Sequence, residues 1–146
     1  MTLHELFTAD HAKLRQRIVE IQTVLAKNPQ KLEDHFPTFQ QDVRAHFRKE
    51  DDVYYPHVGA GKKIADRELI HALRNDHAAV VFTLESLAIR LRKKVPLEEW
   101  KAKFDALIKV LLPHFDHEEK KLFPEVERLY EPAELQALLE KIQALP

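Results

Sequence analysis

Residues 46–56 read HFRKEDDVYYP, and residues 114–124 read HFDHEEKKLFP. Each stretch begins with His and Phe, places a Glu four residues after the His, and ends with a Pro. A His and a Glu four residues apart lie on one face of a helix, one turn from each other. The repeated stretch therefore predicts two long helices that carry equivalent His–Glu pairs.

A second repeat accompanies the first. Asp10-His11 recurs as Asp76-His77, 66 residues later, while the two His–Glu pairs lie 68 residues apart. Both halves of the chain thus carry the same polar pattern at nearly the same spacing. This predicts two helical hairpins of nearly equal length.

Apolar residues recur at intervals of three and four over most of the chain, which is the spacing of amphipathic helices. The first helix is predicted to begin after Thr2, which forms a capping-box pattern with Glu5. Only 2 residues are Gly, a composition that disfavours an all-β fold. The predicted helices cover about residues 2–27, 31–55 and 66–94, a stretch that begins near residue 97, and about residues 132–145.

The connections between these helices are short, apart from residues 56–65, so neighbouring helices should run antiparallel. The predicted fold class is all-α, an antiparallel up-down-up-down four-helix bundle with a short C-terminal fifth helix. The 146 residues have the size of one ordinary domain. We expect a single domain over residues 1–146, with the bundle over about residues 2–130.

Six polar residues interrupt the apolar stripes of the four long helices. Residues of an antiparallel hairpin meet when they lie equally far from its turn, and this counting places the four histidines in one layer. Each glutamate then lies one turn beyond its histidine. The six predicted metal-ligating residues are His11, His46, Glu50, His77, His114 and Glu118.

A metal centre explains why six such groups would share one layer of a core. An unpaired buried carboxylate costs several kcal/mol, and cations compensate that cost. Four imidazoles and two carboxylates suit two metal ions with the carboxylates bridging, and leave a position for a small molecule. The mixed ligands fit iron or manganese, and zinc stays open.

The composition limits the other function classes. The net charge is −1, so no strong field favours nucleic acid or an anionic membrane. The chain has no Cys, which excludes thiolate metal sites and disulfides. The start of the chain does not resemble a signal peptide, and no apolar stretch is long enough to span a bilayer. We therefore expect a cytoplasmic protein, as a monomer or homodimer, that binds no nucleic acid and no membrane.

These six residues, in this order, resemble the hemerythrin-like family, also called HHE cation-binding domains, over about residues 1–130. The resemblance implies two iron ions in a non-haem di-iron centre with an oxo or hydroxo bridge, in which Glu50 and Glu118 bridge and the four histidines cap the irons. It also implies a protein that binds, senses or detoxifies a small oxidant (O₂, NO or peroxide) or handles iron.

Two positions differ from the oxygen-carrying members of the family. Leu73 stands where those proteins have a further His, and Glu118 stands four residues after its His, where they have an Asp after five. The pattern looks more like the di-iron proteins associated with nitric oxide response and iron–sulfur repair. The Cys-bearing extension common among those is not part of this sequence.

Two other functions stay open at this point. The chain could be an enzyme, a di-iron oxidase or peroxidase that turns over a substrate. It could instead be a metal-free helical bundle whose C-terminal amphipathic segment docks a protein partner. The repeated polar pattern speaks against the metal-free bundle.

The remaining candidates are given simpler interpretations. We expect His4 to lie near the bundle end rather than bind metal. Tyr54 is expected to pack in the core, with a hydrogen bond to a metal ligand as the alternative. Asp10 and Asp76 either pair on the surface, the default, or hydrogen-bond a histidine of another helix. Pro113 is predicted to kink or bulge its helix between Lys109 and Glu118, and so to help aim His114 and Glu118. Four further histidines are predicted to be solvated: His35, His57, His71 and His117.

Overall fold

The computed structural model describes residues 1–60 and 67–146, and every element within them is helical. Because Thr2 and Glu5 form the predicted capping box, α1 begins directly after Thr2: the Thr2 side chain accepts from Glu5 N at 3.2 Å, and Thr2 N donates to Glu5 Oε2 at 2.9 Å. The helices are α1 Leu3–Lys27, α2 Leu32–Lys49, α3 Tyr55–Ala60, α4 Arg67–Arg92, α5 Leu97–His117, α6 Phe123–Leu129 and α7 Pro132–Gln143.

The four long helices form the predicted antiparallel bundle. Helix α1 packs against α2 and α5, and α4 packs against the same two helices, so each long helix has its neighbours in sequence beside it. Helix α7 is the predicted short C-terminal helix, and it packs across α1 and the segment that follows α2. None of the described helices is long and apolar enough to cross a membrane.

The sequence predicted that the second long helix ends near Tyr55, but in the structure it continues further. After α2 it continues through a π-helical turn, Glu50–Tyr54, into α3 and through Pro56 to Ala60. The backbone N–H of Tyr55 donates to the Glu50 carbonyl, five residues earlier. This wider turn lets the helix pass a proline, which cannot donate a backbone hydrogen bond. Residues 61–65 of the predicted connection, and the predicted helix start at Asp66, lie outside the described residues.

The predicted kink at Pro113 is wrong. Helix α5 runs without interruption through Pro113 to His117, and the irregularity begins only afterwards, as a π-helical turn over Glu118–Leu122. The matching turn after α2 forms without such a proline, since Ala45 occupies the equivalent position. What the two helices share is a glutamate that starts the π-helical turn and a proline six residues later.

The buried apolar residues that the structure describes form two clusters. One contains Phe36, Phe39, Trp100 and Phe104 and fills the half of the bundle next to the α1–α2 and α4–α5 connections. The other fills the opposite half, where α3, α6 and α7 close the end. Along all four long helices, the predicted polar residues lie between the residues of these two clusters.

Candidate metal centre

The six residues predicted as ligands are buried and converge. None of these six residues is more than 3% exposed. Their imidazole nitrogens and carboxylate oxygens form two groups that could hold a metal ion, and within each group these atoms lie within 4.8 Å of one another. The groups are His11, His46, Glu50 and Glu118, and Glu50, His77 and His114.

The histidines face each other in pairs. The Nε2 atoms of His11 and His46 lie 3.1 Å apart, and those of His77 and His114 also lie 3.1 Å apart. Two nitrogens bound side by side to one metal, each about 2.1 Å from it, are about 3 Å apart. Each pair thus has the separation of two ligands of the same ion.

Each glutamate lies between the two histidine pairs. Glu50 Oε1 is 3.1 Å from His46 Nε2 and 3.3 Å from His77 Nε2. Glu118 Oε1 is 3.2 Å from His114 Nε2 and 3.3 Å from His11 Nε2. Both carboxylates therefore reach one histidine of each pair, which is the placement that a bridging carboxylate requires.

A carboxylate from another helix holds each histidine at its outer nitrogen. Because a carboxylate only accepts hydrogen bonds, Nδ1 carries the ring proton and the Nε2 lone pair is turned toward the centre. When both rings of a facing pair are neutral, neither Nε2 can donate to the other, so a cation fits between them better than a hydrogen bond does. The Nδ1–carboxylate distances are 2.9 Å for His11–Glu119, 3.0 Å for His46–Asp10, 2.8 Å for His77–Asp51 and 3.1 Å for His114–Asp76.

The default interpretation of Asp10 and Asp76 as surface pairs is thus wrong, and the alternative of a hydrogen bond to another helix is correct. Asp51 and Glu119 were not singled out from the sequence at all. A signal for them was present, because an acidic residue directly follows the glutamate in both repeated stretches.

Aromatic rings fix the planes of two histidines. Phe47 stacks on His77, with ring centroids 3.7 Å apart and planes within 10°. Phe115 stacks on His11 at 4.2 Å and 20°. Each Phe directly follows a histidine on its own helix and supports a histidine of a neighbouring helix, which explains why His-Phe occurs in both repeats.

Tyr55 is a further polar contact that the sequence analysis missed. Its buried hydroxyl donates to Glu118 Oε2 at 2.9 Å and lies 3.4 Å from His77 Nε2. Arg74 covers its ring at 5.6 Å. Tyr55 therefore brings a hydroxyl proton to the edge of the cluster, beside one carboxylate and one histidine.

The charges of the layer also call for a cation. Among the residues that the structure describes, both oxygens of Glu50 and Oε1 of Glu118 are buried without a hydrogen-bond partner. Burial and the neighbouring charge of Glu118 raise the pKa of Glu50 to about 8. Burial acts against protonation of His114, but Asp76 and Glu118 outweigh it and raise its pKa to about 10. Without a metal, extra protons on Glu50 and His114 thus take the place of a cation in the layer. The nitrogen and oxygen donors suit a divalent or trivalent metal.

The other predicted histidines lie outside the cluster. His4 is buried and bonded at both ring nitrogens, to Glu127 and Tyr54. His71 and His117 are exposed, as predicted. His35 is half-buried, and half-buried His57 lies 3.0 Å from Glu134 of α7, so these two are less solvated than the sequence suggested.

Comparison with known proteins gives a family and one distant relative. A protein described as a DNA nickase from Nostoc sp. (strain PCC 7120 / SAG 25.82 / UTEX 2576) is 23% identical over 123 residues, which are 84% of this chain and 33% of the relative. The chain thus spans about a third of the length of that relative. No solved structure matches the chain significantly. The Hemerythrin HHE cation binding domain matches residues 2–126, a span that contains all six clustered residues. The chain belongs to the hemerythrin HHE cation-binding family.

Proposed function

We propose that the chain binds two iron ions in the layer formed by the six clustered residues, and that this centre binds, senses or detoxifies a small oxidant such as O₂, NO or peroxide. The observation that carries the proposal is the shared position of the two glutamates. Each has one carboxylate oxygen within 3.3 Å of a histidine from each pair. One ion between each pair, with both carboxylates shared, accounts for all six side chains.

The chain's own residues have distinct roles in this proposal. His11 and His46 would hold one ion, His77 and His114 the other, and Glu50 and Glu118 would bridge them. The carboxylates at the Nδ1 atoms keep every Nε2 lone pair directed inward. The apolar clusters on both sides limit the access of water. The bound irons would supply one-electron redox chemistry and an exchangeable position for a diatomic molecule or a peroxide.

Elemental analysis of tag-free protein from iron-replete cells tests the metal part of the proposal. We expect two irons per chain, and competition of iron with manganese and zinc in the same medium shows whether iron is preferred. A well-folded helical protein with little metal would mean that the six residues satisfy one another, and the proposal would be wrong.

Titration of the reduced, iron-loaded protein with O₂, NO and peroxide tests the ligand part. We expect the absorption spectrum to change with at least one of them at a stoichiometry of about one per centre. The variant His46→Ala should lose this change, whereas His71→Ala, at an exposed histidine, should keep it. No spectral change with any of the three would leave iron handling as the function of the site.

A di-iron oxidase or peroxidase is the second candidate, and Tyr55 is the observation that favours it. Its hydroxyl lies next to Glu118 and His77, where it can donate a proton during turnover. Repeated turnover of peroxide with an added electron donor, reduced by Tyr55→Phe, would support an enzyme. A single stoichiometric reaction would support a binding or sensing protein. The relative described as a DNA nickase is about two and a half times as long as this chain, and no contact described above suggests DNA nicking here.

A further inference from the structure

A series of three hydrogen-bonded residues, Glu127, His4 and Tyr54, lies beside the layer of six clustered residues and shares no member with it. His4 Nδ1 is 2.9 Å from Glu127 Oε1, and His4 Nε2 is 2.8 Å from the Tyr54 hydroxyl. His4 is 5% exposed and Tyr54 is fully buried, whereas the Glu127 side chain is 56% exposed. Glu127 and His4 therefore lead from solvent to the buried phenol of Tyr54.

The directions of these hydrogen bonds follow from the chemistry of the groups. The Glu127 carboxylate only accepts, so His4 Nδ1 donates to it. His4 Nε2 is then the acceptor, and the Tyr54 hydroxyl donates to it. Burial lowers the pKa of His4 and raises the pKa of Tyr54 well above its usual value, so the pair rests as neutral imidazole and neutral phenol.

The fold does not need these three polar residues for packing, because the equivalent positions in the other half of the repeat are apolar or Gly. Shifted by the same 66 and 68 residues that relate the two hairpins, His4 corresponds to Ile70, Tyr54 to Leu122 and Glu127 to Gly59. These counterparts pack as apolar groups: a Cβ placed on Gly59 would lie 3.5 Å from Ile70 Cγ2, and Leu122 is fully buried. The Glu127–His4–Tyr54 series thus occurs on one side of the internal repeat and has no counterpart at the equivalent positions.

Two sets of ring contacts connect Tyr54 with the layer. Its ring centroid lies 5.9 Å from that of Tyr55, whose hydroxyl reaches Glu118. It also lies 5.0 Å from the ring of Phe7, which is 5.8 Å from the ring of His46. The phenol is therefore close to the layer, and the aromatic rings of Tyr55 and Phe7 lie between it and the predicted ligands.

The solvent-facing end of this series, at His4 and Glu127, is open to small molecules. His4 and Glu127 line two adjacent surface clefts of about 430 Å³ and about 400 Å³. A small electron donor in either cleft would come next to the His4 ring.

We propose that Tyr54 is a one-electron relay between the metal centre and the protein surface, with His4 as its proton acceptor. The proposal rests on the di-iron centre proposed above. With iron bound in the layer and oxidised by a peroxide, which is reduced to water, the Tyr54 ring would give up one electron to the centre. The Tyr54 O–H bond breaks, an N–H bond forms at His4 Nε2, and the Glu127 carboxylate faces the resulting imidazolium. An external one-electron donor in the cleft then reduces the tyrosyl radical, and the proton returns from His4.

Peroxide treatment of the iron-loaded protein, followed by rapid freezing and electron paramagnetic resonance, tests the relay directly. We expect a tyrosyl radical in the wild type and in Tyr130→Phe. The Tyr130 substitution removes a hydroxyl at the same end of the bundle that is not part of the Glu127–His4–Tyr54 series. Tyr54→Phe should lose the signal, and His4→Phe should reduce it strongly. Iron content should be equal in all four proteins, because neither Tyr54 nor His4 is a proposed ligand. A signal of wild-type size in Tyr54→Phe overturns the relay.

A second measurement separates failure of the relay from failure of the di-iron proposal. In metal-free protein, a photogenerated ruthenium(III) tris-bipyridine oxidises tyrosines from the surface. We expect Tyr54 oxidation, taken as the difference from Tyr54→Phe, to be roughly 100-fold slower in His4→Phe, the usual contribution of a positioned base. Equal rates with and without His4 overturn the pairing whether or not the chain binds iron. A chain without iron that shows this rate difference leaves Tyr54 and His4 as the redox pair and refutes only the metal centre.

Discussion

His114 Nδ1 donates to Asp76 Oδ2 across 3.1 Å, although the two residues lie 38 positions apart on neighbouring helices. Asp76 directly precedes His77, whose ring points into the metal layer. Two consecutive residues of α4 thus act on different helices, one with an inward imidazole and the other with a carboxylate that orients a neighbour's imidazole. Asp10 and His11 do the same on α1, since Asp10 accepts from His46 at 3.0 Å.

This arrangement predicts that Asp76→Ala weakens metal binding without removing a ligand. His114 would keep its place but lose the group that fixes its ring proton, so metal affinity should fall about 10- to 100-fold. Competition with a chelator measures the change. Asp105→Ala, at a half-buried aspartate that pairs with Lys101, is the matched control and should leave the affinity unchanged. Equal affinities in both variants would show that Asp76 has no role in orienting His114.

His46→Ala removes one proposed ligand and should lower the metal content by at least one ion per chain. The physical reason is that one histidine pair would retain a single imidazole. Elemental analysis measures the change, and His71→Ala again serves as the control at an exposed histidine. An unchanged metal content would exclude His46 as a ligand.

Glu50→Leu should have opposite effects on the two forms of the protein. In the metal-free form it removes a buried carboxyl without hydrogen-bond partners, so the free energy of unfolding should rise by about 1–3 kcal/mol. In metal-loaded protein it removes a proposed bridging ligand, so the stabilisation by metal should largely disappear. Urea denaturation with and without metal measures both effects. A loss of stability in the metal-free variant would contradict our description of the layer.

Metal retention should depend on pH. Histidine must be deprotonated at the nitrogen that binds the metal, so protons compete with the metal as the pH falls. We expect retention at neutral pH and progressive loss toward about pH 5, the lower end of the range over which histidine titrates. Metal content after dialysis at a series of pH values gives the profile. Constant retention over this range would count against histidine ligands.

His4 should make the stability of the protein pH-dependent, independently of the metal. Burial lowers its pKa in the folded chain below the usual 6.5, so below that pH the unfolded chain binds more protons than the folded one. The free energy of unfolding should therefore fall as the pH drops through 6.5 and continue to fall to the lowered pKa. His4→Phe, whose ring can keep the stacking on Phe123, should lose this contribution. Parallel urea titrations at pH 7.5 and about pH 5.5 give the comparison; an equal loss in both proteins would contradict it.

The sequence predicted the bundle and the members of the metal layer for a common reason. Helix period, caps and repeats are local properties, and a polar residue in an apolar stripe is visible without knowing its partner. Thr2 with Glu5, and the spacing of His46 and Glu50, are examples. The alternative contacts of Asp10 and Asp76 could be stated from the sequence, but the sequence did not decide between them.

Two prolines near the π-helical turns, Pro56 and Pro113, show where reasoning from local sequence fails. Pro56 suggested the end of a helix, and Pro113 suggested a kink or bulge within one, since proline removes a hydrogen bond and clashes with the preceding turn. Helix α5 nevertheless passes through Pro113 without interruption, and the second long helix passes Pro56 after its π-helical turn. The irregularities begin instead at Glu50 and Glu118, the two residues that must point into the layer.

By itself, then, the sequence determined an all-helical bundle with six polar residues on its inner faces, because periodicity and the cost of burial act on each helix separately. Only the tertiary structure decided which carboxylate orients which imidazole, that Tyr55 reaches Glu118, and that His4 joins Tyr54 to Glu127. Those choices depend on the rotation of each helix about its axis and on its height against its neighbours. Both are set by the packing of the whole core.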